Sequence, residues 1–74
     1  MILASNLERL IASGGNVSID GSKYIQRNLE RFAAFAANSG ATLTIRNSQR
    51  ILQINLERLA AFGKGRVVFI FDEV

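Results

Sequence analysis

Nucleophilic catalysis needs a hydroxyl or thiol beside a base, and this sequence offers only half of that pair. It holds neither cysteine nor histidine, so Ser22 and Ser48 have no imidazole to take a proton, and Lys23 and Lys64 are the only lysines. Glu8, Glu30 and Glu57 could in principle pair as acid and base. Each is followed directly by an arginine on what reads as a solvated helix flank, which argues for an ionised surface carboxylate and against the raised pKa a general acid requires. Gly63-Lys64-Gly65 lacks the full glycine spacing and the following Ser or Thr of a phosphate-cradling loop, and it precedes a strand-like run, so it reads as a helix stop. Thiolate and imidazole metal sites are excluded by composition. No enzyme, no cofactor and no metal are expected.

What remains is basic. Lys23, Arg27 and Arg31 recur every four residues, with Arg46 and Arg50 near the next turn, and clustered cations of this kind meet phosphates. The net charge is only +3, and no aromatic platform for stacking bases is interleaved, since Tyr24, Phe35 and Phe62 fit a flank between helices. A solvated basic face is favoured, with nucleic acid as a less favoured partner. No apolar run approaches the roughly 18 residues that span a bilayer, and the first residues lack a basic region followed by an apolar one. A cytoplasmic protein with no membrane partner is expected.

The elements that carry these residues come from a pentapeptide that occurs three times: Asn6-Leu7-Glu8-Arg9-Leu10, Asn28-Leu29-Glu30-Arg31-Phe32 and Asn55-Leu56-Glu57-Arg58-Leu59. In register, each copy has apolar positions at i, i+4, i+7 and i+8, which are Leu3, Leu7, Leu10 and Ile11, then Ile25, Leu29, Phe32 and Ala33, then Leu52, Leu56, Leu59 and Ala60. This spacing predicts amphipathic helices near residues 2 to 13, 23 to 38 and 49 to 62, with Ser22 and Ser48 as N-caps of the last two. Gly14-Gly15, Asn38-Ser39-Gly40 and Gly63-Lys64-Gly65 stop them. Alternating runs follow at 17 to 20, 42 to 46 and 66 to 72 and read as strands.

Links of this length call for parallel pairing with right-handed crossovers. A three-stranded parallel sheet in the order 1-2-3 follows, within a single α/β repeat domain over residues 1–74, with all helices on one face. Ser18, Asp20, Thr42, Thr44 and Arg46 alternate with apolar residues, which leaves the other face wet. In the third strand Val67, Phe69 and Phe71 are expected to face the helices, leaving Val68 and Ile70 apolar on the open side. Along the helix flanks, Asn6, Asn28 and Asn55 form a ladder at the margin of the apolar face. Beside it, Ile2, Tyr24 and Ile51 near each helix start and Ser13, Phe35 and Phe62 near its end oppose a smaller flank of Ile11, Ala33 and Ala60 beside Gly15, Ala37 and Lys64, a directional fit in which a Glu of one helix reaches an Arg of the next.

With strands alternating with helices, leucine-spaced repeats and the recurring Asn6, Asn28 and Asn55, residues 2 to 71 resemble an α/β solenoid of the leucine-rich-repeat kind. The family places its asparagine after the strand, not inside a helix, so the resemblance is one of architecture. It implies a protein-interaction role without catalytic residues. Residues 17 to 71 also resemble the second half of STAS domains, the anti-sigma-factor antagonists, at Ile19-Asp20-Gly21-Ser22. That resemblance implies a regulatory binding module with Ser22 as a phosphorylation site.

A chain of 74 residues without disulfides hides only about 60% of its unfolded surface, so association is a natural supplement to its core. Neither end shows the polar capping repeat that keeps a stack monomeric. The expected function is therefore a self-associating structural or protein-interaction module and homo-oligomer. Val17, Ile19, Val67, Val68, Phe69, Ile70 and Phe71 form its contacts, either head to tail in a ring or filament or as a dimer through the third strand. The STAS-like module and the nucleic-acid binder are the alternatives.

Overall fold

The computed structural model describes residues 3–72. Three helices, α1 (Ala4–Ala12), α2 (Gln26–Ser39) and α3 (Gln53–Gly63), alternate with three strands, β1 (Val17–Asp20), β2 (Leu43–Arg46) and β3 (Val67–Phe69). The sheet is parallel throughout and runs β1-β2-β3, with Val17 opposite Leu43 opposite Val67, and Ile19 opposite Ile45 opposite Phe69. One core takes Leu7 and Ile11 from α1, Leu29, Phe32, Ala33 and Ala36 from α2, Leu59 from α3, and Ile19, Leu43 and Ile45 from the sheet. All three helices therefore cover the same face. The shortest dimension of 18 Å leaves room for one sheet and one helical layer.

Helix entry differs from the sequence expectation. The Asp20 carboxylate accepts the Ser22 backbone N–H at 2.9 Å and the Ser22 hydroxyl at 2.6 Å, which winds Gly21–Lys23 into a separate 3-10 turn. Tyr24 is then extended, so α2 starts at Gln26 and Ser22 does not cap it. Ser48 is wholly buried and its hydroxyl donates to the Ile45 carbonyl at 2.8 Å, which ties the second 3-10 turn, Ser48–Arg50, to the end of β2 and moves the start of α3 to Gln53. A short polar side chain that bonds its own neighbourhood competes with helix initiation, and here it wins both times. Leu3, Ile25 and Leu52, assigned to the apolar stripe, become the residues just before each helix and are exposed.

The third strand is shorter than the expected 66 to 72, although its pairing runs on through Ile70, whose N–H donates to the Ile45 carbonyl and whose carbonyl accepts the Ser48 N–H, both at 2.9 Å. Val67 and Phe69 pack on the core and Val68 and Ile70 are exposed on the open face, as expected. Phe71 is the correction. It lies beyond β3 and is 52% exposed instead of facing the helices, because the strand ends at Phe69 before reaching it. Ile2, assigned to the bulky flank, and the tail residues Glu73 and Val74 lie outside the described residues.

α2 ends on Gly40 in the left-handed conformation (φ 79°), whereas α3 ends on Lys64 in that conformation (φ 49°), where a Cβ is strained. Lys64→Gly is expected to raise stability by about 0.5–1 kcal/mol, read as a higher urea midpoint at unchanged slope.

Candidate functional site

The helical layer is tied by a repeated ion pair. Arg31 donates to Glu8 through two nitrogens, at 2.9 and 3.0 Å, and Arg58 donates to Glu30 at 2.9 and 3.5 Å. Both pairs join the Glu of one pentapeptide to the Arg of the next, and forked guanidinium–carboxylate contacts of this kind fix direction as well as proximity. The carboxylates are the sheltered partners, with side chains 16% and 18% exposed against 55% and 56% for the arginines. Each guanidinium also lies over a ring of its own helix, Arg31 over Phe35 at 5.8 Å and Arg58 over Phe62 at 6.0 Å. Among the described residues, Asn6, Asn28 and Asn55 make no side-chain hydrogen bond. The ladder is therefore built by the Glu and Arg neighbours of the asparagines.

Hydrogen bonds from the arginines hold Glu8 and Glu30 below the ordinary carboxylate pKa, Glu30 being helped by Gln26, and bonds from the Ser22 hydroxyl and N–H hold Asp20 well below its ordinary value, with the Asn47 side chain nearby adding to the shift. Lowered folded-state values mean that these groups add stability above their unfolded pKa and lose it as pH falls through the folded one. The urea midpoint is expected to decline below about pH 4.5, and Glu8→Gln with Glu30→Gln should flatten part of that slope.

The residues proposed as a basic surface are spread over three depressions. Lys23 sits on the first 3-10 turn and lines a cleft with Asp20, Ser18 and Arg46, whose Nε donates to the Ser18 hydroxyl at 3.1 Å. Arg50 lines a different depression beside Ser22 and Asn55, and Arg27 shares a third with Arg31, Glu30 and Phe62. Arg31, the last of the three cations spaced by four, is paired with Glu8. Ser22 is exposed, with its hydroxyl held by Asp20. Among the described residues no group of three or more Cys, Asp or Glu side chains is placed to hold a metal ion, and no helix is long and apolar enough to cross a membrane.

The ladder leaves two ends. Among the described residues Arg9 and Glu57 have no ion pair, Arg9 at the outer side of α1 and Glu57 at the outer side of α3. Glu57 is nevertheless dressed like Glu30: Gln53 donates to its carboxylate at 3.1 Å as Gln26 donates to Glu30 at 3.0 Å. Sequence reading overlooked both glutamines, although each stands four residues before its Glu, the spacing that brings side chains together on a helix. In the sheet, β1 and β3 present the two outer edges, carrying Val17 and Ile19 on one side and Val67 to Phe71 on the other. Comparison of the chain with protein-family models, curated proteins and solved structures finds no match.

Proposed function

We propose that the chain is a non-enzymatic, self-associating structural or protein-interaction module of solenoid-like design. The observation that carries this reading is the pair of unprotected parallel edges. β1 and β3 each leave a row of backbone donors and acceptors without a strand partner, and no proline anywhere in the chain blunts them. The β3 side also exposes apolar side chains, with Val68 46%, Ile70 38% and, just beyond the strand, Phe71 52% accessible. Pairing β3 of one copy with β1 of the next is heterologous and gives a ring if the rotation closes and a filament if it does not.

Sedimentation velocity from low to high micromolar concentration tests the proposal, with mass expected to grow with concentration. A strict monomer throughout removes it. A species that stops at the dimer selects a second form, favoured by the exposed Val68, Ile70 and Phe71: an isologous contact through β3 alone.

A further inference from the structure

We infer that the partner is a second copy docked head to tail, with Arg9 of one chain seated on Glu57 of the next so that the Glu–Arg ladder runs through the junction. The inference rests on the self-association proposed above and names the residues that direct it.

The same helical position has opposite exposure at the two ends of the molecule and inside it. Phe32 and Leu59 are wholly buried, whereas Leu10, at the identical place in the first pentapeptide, is 48% exposed. Leu10 lines a shallow depression with Asn6, Arg9 and Ser13, the positions that in α2 hold Asn28, Arg31 and Phe35. On the other end, Ala33 is wholly buried whereas Ala60, its counterpart in α3, is exposed. Thus α1 bares its arginine-bearing flank with Leu10, and α3 bares its glutamate-bearing flank with Ala60. These are the two surfaces that meet at each internal contact.

Between α2 and α3, Phe62 shares a depression with Ala34 and Ala37, so at the internal contact a large side chain opposes small ones. The strands follow the same stacking: continuing the register Val17, Leu43, Val67 sets Val17 of the next copy beside Val67, and Ile19 beside Phe69. Since neighbouring strands lie about 4.8 Å apart and packed helices about 8–10 Å, the stack is wedge-shaped and added copies curve with the sheet on the inside.

Charge reversal tests the junction. Arg9 and Glu57 are exposed, so Arg9→Glu and Glu57→Arg should each leave the thermal melt near that of the parent, and each alone places like charges in contact between copies. Each variant is expected to associate about tenfold more weakly or worse by sedimentation velocity. An equimolar mixture of the two should recover association, because every junction between unlike variants joins an arginine to a glutamate in one order or the other. If the parent associates and the single variants match it, or the mixture does not recover, the junction is overturned while self-association stands. A monomeric parent overturns both.

Discussion

Phe32→Ala is expected to leave most of the chain unfolded at room temperature. Phe32 is a fully buried side chain near the middle of α2 and meets the Tyr24 ring edge to face, with centroids 5.4 Å apart. Truncating a buried phenylalanine removes its transfer free energy and leaves a cavity, together about 3–5 kcal/mol. A core of this size supplies only about 3–5 kcal/mol in total. The loss therefore matches the whole margin, and the far-UV signal should be largely gone before denaturant is added. Phe71→Ala, which removes the same atoms from a half-exposed position beyond β3, should shift stability by no more than about 0.5 kcal/mol at protein concentrations low enough to keep copies apart. Similar losses for the two variants would mean that the helical face is misassigned.

Gly63→Ala is expected to destabilise although alanine is the better helix former. Gly63 is buried in the last turn of α3, and a Cβ there would clash with Cγ2 of Val67 and lie 3.3 Å from its Cβ. Val67 is β-branched and held in β3, so it cannot swing aside, and α3 must lift from the sheet. Overpacking of this kind costs about 1–3 kcal/mol, against which the gain in helix propensity is about 1 kcal/mol. Val67→Ala removes the obstacle at its own cost in burial. In a double-mutant cycle the pair should come out more stable than the sum of the two singles, by about 1 kcal/mol. Additive effects would show that helix and strand do not approach so closely there.

Both tests touch residues whose roles were unequally readable. Leu7, Leu29 and Leu56 recur at one helical position and are all buried, which periodicity alone predicts. Leu10, Phe32 and Leu59 also share a position, yet only the last two are covered, because a hydrophobic period states which way a side chain points and not whether a neighbour stands there. The two serines failed as helix caps for a similar reason. Ser22 and Ser48 are residue types that cap helices, but Asp20 sits two residues before one and the Ile45 carbonyl three residues before the other, and those contacts are nearer than the helix that follows. Gly63 read as a stop, and its real constraint, the Val67 methyl, is a contact between elements.

The Glu–Arg ladder shows the division most clearly. That a glutamate of one helix would meet an arginine of the next could be read from the pentapeptide, since identical spacing on three helices puts identical groups on identical flanks. The parallel order of the sheet and the single helical face could be read as well, from the lengths of the links and the alternation in β1 and β2. Which copy is satisfied and which is left open depends on how many helices stand on either side, a count that spacing does not contain. Only the packed molecule pairs Arg31 with Glu8 and Arg58 with Glu30 and leaves Arg9 and Glu57 facing outward, because an ion pair forms across space and each end of a finite stack lacks one neighbour.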